Sequence, residues 1–310
     1  MYKGHKNFGK EGLDVLFVCG IHGNETKAVK VVMKLREMLE DKKSSEFTGI
    51  SSVGYAIGVN KEGLKHNTRE WVDKQQNPTL DMNRSFEKES ITFEKSFDEV
   101  VDEVKEMSKS YDVVVDVHNS PNCADSFLID IGMPKSCWIA AFAKRMDNKI
   151  LQPVVRQSGV NSLKNYVNAN NGRDHLHVGF TVELGGMGFE GEHLDGEENI
   201  KFKAYKLIEF LKQLPKLHEC VDEKLDYLDC TIPIFSANEG IVEYERKNPI
   251  GKYNKGEKIC AIKKFSGVVA ETVTAPCDGY LIGVNESYYV ANGIGEFQPF
   301  NKPEIFDKGM

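Results

Sequence analysis

Residues 112–119 read DVVVDVHN. Four valines in six positions make a β-branched run that is apolar on both faces, as expected of a central strand with both faces covered. The same signature recurs on either side. Leu13–Cys19 is a short apolar run closed by Gly20. Residues 51–59 return to strand-like composition, 126–131 form another short run, and Val178–Leu184 ends in Gly185 and Gly186. Between these runs the period changes to that of a helix. Ala28, Val32, Leu35 and Leu39 recur at that spacing, as do Phe93, Phe97, Val100, Val104 and Met107, with Thr92 as the cap. Trp138, Phe142 and Met146 mark a third helix. Ile200, Ala204, Leu207, Ile208 and Leu211 mark a last one, which Pro215 stops. Residues 60–81 show no period and read as a long polar loop. Strands alternating with helices predict an α/β sheet covered on both faces. After about residue 216 the helical period disappears and short β-rich runs are separated by Gly, Pro and Asn. The expected division is therefore a catalytic domain over 1–216 and a β-rich domain over 217–310.

The net charge of −7 argues against phosphate backbones and anionic membrane surfaces as partners. No apolar run approaches the length of a membrane span. The opening residues MYKGHKNFGKEG lack the apolar core of a signal peptide, so a cytoplasmic location is expected. The seven cysteines, Cys19, Cys123, Cys137, Cys220, Cys230, Cys260 and Cys277, are odd in number and contain no CxxC pair. They read as free thiols in a reducing compartment rather than as a disulfide framework or a cysteine-built zinc site.

Three polar motifs stand at predicted strand ends: residues 20–25 (GIHGNE), 116–119 (DVHN) and 182–186 (VELGG). Ligands of open α/β sheets bind at that edge, so the three can converge. Two histidines and a carboxylate with a fourth position left for water form a known catalytic zinc set. His22 and Glu25, three apart at a helix start, and His118 from the neighbouring strand supply it. Asp116 lies on the same strand face as His118 and can orient it. Glu183 is the candidate general base. A His-x-x-Glu pair at a helix start can equally be a cap and dipole partner. The combination at three strand ends is what favours a metal. A fourth motif, residues 81–86 (DMNRSF), follows the long loop, which itself contains Arg69, and Arg173 precedes the last strand. Arginine pairs with carboxylate through two parallel hydrogen bonds, so Arg69, Arg84 and Arg173 are candidates for holding an acidic substrate or stabilising an oxyanion.

These motifs resemble the succinylglutamate desuccinylase/aspartoacylase family, relatives of the zinc carboxypeptidases, and the resemblance runs through the whole chain. It implies a mixed-sheet, zinc-carboxypeptidase-like α/β/α catalytic domain with a smaller C-terminal β domain, the latter similar to lipoyl/biotinyl-like folds through residues 275–280 (APCDGY). It implies one Zn²⁺ per chain held by His22, Glu25 and His118, with Glu183 as base and Arg69 polarising the scissile carbonyl. Asn83 and Arg84 would hold the substrate's α-carboxylate, with Arg173, Tyr166 and Tyr288 as further substrate contacts. Asn292 stands near where aspartoacylases carry a lysine, so N-acetylaspartate itself does not carry over directly. The expected activity is zinc-dependent hydrolysis of a small, acidic N-acyl amino acid. A peptide-cleaving metallocarboxypeptidase and a non-catalytic small-molecule-binding protein are the alternatives. The sequence leaves open whether identical chains assemble into an oligomer.

Overall fold

The structure is a computed structural model, and it describes residues 1–75, 77–87, 95–119, 127–130, 152–154, 162–170, 177–184, 196–216, 232–246, 251–284, 289–290 and 293–299. The described residues fall into two compact units. One carries every described element up to residue 216, the other those from residue 232 onward.

The first unit is built on a seven-stranded sheet. In chain order its strands are β1 (Tyr2–Asn7), β2 (Leu13–Cys19), β3 (Ile50–Ile57), β6 (Val113–His118), β7 (Phe127–Asp130), β8 (Gln152–Val154) and β9 (Val178–Leu184). A separate two-stranded hairpin, β4 (Trp71–Val72) with β5 (Pro78–Leu80), lies between β3 and β6 in sequence. The order across the large sheet is β1-β3-β2-β6-β9-β7-β8. β3, β2, β6 and β9 run parallel. β1 joins β3 antiparallel, and β7 joins β9 antiparallel, so the sheet is mixed as expected.

The valine run of β6 is central because alternate residues feed two separate cores. Val113, Val115 and Val117 join Val15, Phe17 and Cys19 of β2. They pack against α1 (Thr26–Glu40) and α5 (Glu197–Gln213) through Val31, Val32, Leu35, Leu207, Ile208 and Leu211. Val114 joins Leu16 and Val18 on the other face. There they meet α3 (Lys95–Ser108) and α4 (Leu163–Ala169) through Phe97, Val101, Val104, Leu163 and Val167. Each such side chain fully removed from water contributes about 1.5–3 kcal/mol. On that second face the apolar pattern of β6 breaks after Val114, and Asp116 and His118 follow, both buried. A strand does not place two ionisable groups in its covered half without partners for them.

The polar stretch from 60 to 81 is more ordered than its lack of period suggests. It contains α2 (Lys61–His66), whose first turn is capped by Asn60 Oδ1 accepting from Gly63 N at 2.8 Å, and the β4–β5 hairpin. Asn67 closes α2 in the left-handed region, φ 51°. β1, β8 and α4 also go beyond the expected elements. The predicted helix around Trp138, Phe142 and Met146 and the cap at Thr92 lie outside the described residues. No helix among the described residues is long and apolar enough to cross a membrane.

The second unit holds two four-stranded antiparallel sheets. β10 (Ile232–Phe235), β17 (Gly293–Pro299), β15 (Gly279–Val284) and β12 (Gly251–Tyr253) make one. β14 (Val269–Thr274), β13 (Lys258–Lys263), β11 (Gly240–Tyr244) and β16 (Tyr289–Val290) make the other. Both contribute to one core that includes Ile234, Val242, Tyr253, Ile259, Ile262, Val273 and Leu281. Glu271 on β14 gathers four donors on its Oε2: Ser236 Oγ and Ala237 N at 2.9 Å, and the backbone and side-chain nitrogens of Asn238 at 3.1 Å. These bonds, the Asn238 side chain foremost, hold its carboxyl below the ordinary 4.5. A depressed carboxylate contributes stability that is complete above its unfolded pKa and is lost as pH falls through the folded value. Glu271→Gln should therefore cost about 1 kcal/mol at neutral pH, allowing for solvent screening of a part-exposed group. The difference in melting temperature between variant and wild type should close as pH falls through the depressed value of the Glu271 carboxyl. A gap that is unchanged at low pH would assign the loss to shape rather than to charge.

Candidate metal centre

Sheet order decides which side chains meet. β2, β6 and β9 are neighbours and parallel, so their carboxyl ends lie side by side. The chain leaves β2 through Gly20, whose φ of +73° and closeness to Gly58 and Val29 leave no room for a side chain. Ile21 is buried, His22 follows, and α1 begins. At Gly23 an added Cβ would overlap the backbone of Gly63 and Leu64, so the loop lies directly on α2. Gly23 N and Asn60 Nδ2 both donate to the Arg69 carbonyl, at 3.3 and 3.4 Å. These contacts bring the Arg69 segment to the same place.

Glu25 occupies the N-cap position of α1, yet its side chain does not cap the helix. It turns inward instead. Its Oε1 lies 2.7 Å from His22 Nδ1, and its Oε2 lies 2.8 Å from His118 Nδ1. Oε2 also accepts from the backbone N of Asn119 at 3.1 Å. The structure thus answers the cap reading directly: the carboxylate is spent on two imidazoles. All three residues are buried, with exposures of 3% for His22, 5% for Glu25 and 2% for His118. One ligand atom from each lies within 4.8 Å of the others, a group able to hold a metal ion.

The far nitrogen of each imidazole faces a second carboxylate. His22 Nε2 is 3.2 Å from Asp81 Oδ1, and His118 Nε2 is 2.8 Å from Asp116 Oδ2. The hydrogen bond between His22 and Asp81 fixes ring orientation and raises ligand basicity, while at His118 the Asp116 carboxylate acts through its charge, since neither of its oxygens makes a hydrogen bond among the described residues. The donor set therefore fits a zinc ion in residue type, burial and outer support. Burial alone would raise the Glu25 carboxyl, but the charge and hydrogen bond of His118, then those of His22, hold it well below the usual range. Burial would lower His118, and Asp116 and Glu25 together push it well above the ordinary value. Burial would likewise raise Asp81, and His22, Arg69 and Arg84 outweigh it. Cys19 sits close by at the end of β2, where burial pushes its thiol up to about 12, and it is not one of the group of three.

Arg69 places Nε and Nη2 at 3.3 and 3.2 Å from Asp81 Oδ2, and its Nη1 stands 3.7 Å from Glu25 Oε1. Its side chain is 40% exposed, and Asp81 holds the Nε–Nη2 edge. Glu183 is the register partner of His118 in the parallel β6–β9 pair, which puts both side chains on one sheet face. Asn83 is buried. Its Oδ1 accepts from Leu163 N at 3.1 Å, and its Nδ2 lies 3.2 Å from His118 Nε2. Arg84 donates to the Asn83 carbonyl at 2.8 Å. Tyr166 is on α4, half-buried against the α3 side, with the Lys105 ammonium 5.8 Å from its ring centre. Among the described contacts it has none to His22, Glu25 or His118. Arg173 and Tyr288 lie outside the described residues.

Two residues that the sequence motifs contained without a role now have one. Asp81 backs His22 and anchors Arg69. Asn119 caps α1 from the neighbouring strand, its Oδ1 accepting from Ala28 N at 2.9 Å. The signal for Asp81 was chemical: a buried ligand histidine needs an acceptor on its other nitrogen, and the fourth motif held the available aspartate.

The family model for the succinylglutamate desuccinylase/aspartoacylase catalytic domain matches residues 11–194. Among solved structures, the product-bound ectoine utilization protein EutE (DoeB) from Ruegeria pomeroyi is similar with a TM-score of 0.65 and 15% identity, over 96% of this chain and 87% of that one. A succinylglutamate desuccinylase/aspartoacylase from Rhodobacter sphaeroides gives 0.63 and 16%, over 95% and 88%. A further structure of that description from Shewanella frigidimarina gives 0.64 and 13%, over 96% and 97%. No curated protein matches by sequence. At these identities the structural likeness speaks for the fold, while the family match covers more than half of the 310 residues and includes His22, Glu25, His118 and Glu183. The chain belongs to the succinylglutamate desuccinylase/aspartoacylase family.

Proposed function

We propose that this protein is a zinc-dependent deacylase that hydrolyses the amide bond of a small acidic N-acyl amino acid, of the N-acylaspartate or N-succinylglutamate type. The observation that carries the reading is the convergence of His22 Nδ1 and His118 Nδ1 on the two oxygens of Glu25, beside Glu183 at the carboxyl end of a parallel strand pair. His22, Glu25 and His118 would hold one zinc per chain. When bound, zinc supplies a Lewis acid that polarises the scissile carbonyl and eases deprotonation of water.

The remaining work falls to the chain's own side chains. Glu183 takes the proton of the attacking water and returns it to the nitrogen of the leaving amine, so the amide becomes a carboxylate and a free amino acid. Arg69 stabilises the oxyanion of the tetrahedral intermediate while Asp81 holds its Nε–Nη2 edge. Arg84 and Arg173 pair with substrate carboxylates. A substrate that lacks a matching carboxylate leaves an arginine without its partner, which makes discrimination large. Tyr166 and Tyr288 are carried as substrate contacts on the family resemblance alone. A cytoplasmic setting suits the free thiols of Cys19, Cys260 and Cys277.

Zinc content of the purified protein, with amine release from N-acetylaspartate, N-succinylglutamate and N-acetylmethionine, tests the reading. About one zinc per chain and turnover of the acidic compounds are expected. Preference for N-acetylmethionine would overturn the acidic substrate class. Release of C-terminal residues from peptides, with no turnover of acyl amino acids, would point to a carboxypeptidase. Bound zinc with no turnover of any kind would leave a binding protein.

A further inference from the structure

Asn119 joins the two segments that carry the candidate ligands, and it does so twice. Its backbone N donates to Glu25 Oε2 at 3.1 Å, and its side-chain Oδ1 accepts from Ala28 N at 2.9 Å. It follows His118 directly and is 4% exposed. The need for it arises at the start of α1. The first backbone N–H groups of a helix have no intrahelical acceptor, and the N-cap side chain ordinarily supplies one. Here the N-cap residue is Glu25, whose carboxylate makes no cap bond. A ligand at the N-cap position therefore leaves a buried donor to be met from elsewhere. Asn119 meets it from a strand distant in sequence, and so fixes the start of α1 against the end of β6.

We infer that Asn119 is a positioning residue for the metal centre: by capping α1 in place of Glu25, it frees that carboxylate to serve as a ligand and sets its separation from His118. This rests on the zinc reading above and adds to it. Both bonds run to the protein's own chain. Removing the side chain leaves Ala28 N without its acceptor and loosens the turn that carries Glu25. The backbone bond from Asn119 N survives, so the centre is weakened rather than abolished.

The test measures zinc affinity by competition with a chromophoric chelator, alongside amide exchange at Ala28, for wild type, Asn119→Ala and Asn119→Asp. Loss of a group bonded to a ligand weakens metal binding by about 10- to 100-fold, and Asn119→Ala, which removes the cap and keeps the backbone bond to Glu25, is expected at the lower end of that range together with faster exchange at Ala28. Asn119→Asp keeps an acceptor for Ala28 N and should return both readings to within a few-fold of wild type. If Asn119→Ala does not fold, the aspartate variant still decides. Zinc affinity reduced 10-fold or more in a variant whose Ala28 amide stays protected would overturn the proposal. So would an alanine variant that melts earlier but binds zinc like wild type, since that is a helix cap and nothing more. A raised KM with zinc affinity unchanged would make Asn119 a substrate contact and overturn it too. Wild-type protein with no affinity for zinc would remove the metal reading itself and this inference with it. Wild type and variants that bind alike would remove this inference alone.

Discussion

Glu183→Gln is expected to leave about one zinc per chain in place and to lower kcat by about 10²- to 10⁴-fold, the usual range for loss of a general base. The amide keeps the size and one acceptor of the carboxylate but cannot take a proton from water. Glu183 stands opposite His118 in the parallel register and on the same sheet face. It is thus next to the ligand set without belonging to the group of three. The substitution should therefore separate chemistry from metal binding. Zinc analysis with steady-state kinetics on the preferred acyl amino acid reads both. Turnover within a few-fold of wild type would send the search for the base elsewhere.

The second large effect is on the metal. His22→Ala and His118→Ala each leave two protein ligands where a catalytic zinc needs three, so both should lose zinc and activity together. Their effects on stability should differ. Asp81 loses His22 but keeps Arg69, so its charge remains paired. Asp116 is fully buried, and among the described residues the charged group at its carboxylate is His118. Breaking a buried charge pair by removing one partner costs about 3–5 kcal/mol, and His118→Ala should approach that loss while His22→Ala falls short of it. Thermal melting of the two apo variants against apo wild type checks the order. Equal losses would mean that Asp116 finds another partner. Retention of zinc by both variants would sink the ligand assignment.

Much of the first unit is written in short-range pattern, and that is why it was legible. β2, β6 and β9 are apolar runs between helical periods, and covering both faces of a parallel sheet demands such runs. Two of the elements that escaped notice lack a buried stripe. β1 is an edge strand with mostly exposed side chains, and α2 is a six-residue helix with a glycine inside it. Neither has enough apolar residues to show a period, and each is fixed by what it leans on. The same division runs through the site. His22, Glu25, His118 and Glu183 could be found because ligand chemistry restricts residue type and strand ends restrict position. The pairing of His22 with Asp81 spans 59 residues, and that of Ala28 with Asn119 spans 91. Local spacing carries no record of such contacts.

The overlap of Gly23 with Gly63 bears on how this protein can be altered. Two backbones that touch with no side chain between them form a joint, and a joint of that kind admits no one-sided change. A methyl group at Gly23 has only the main chain of Gly63 and Leu64 to displace, and main chain cannot rotate away as a side chain can. In a mutational library built to shift specificity, side chains introduced at Gly23 will therefore be lost whatever residue stands at 63 or 64, because every residue brings the same main chain. For inheritance and for engineering alike, Gly23 is a fixed point that any redesign of this loop has to be drawn around.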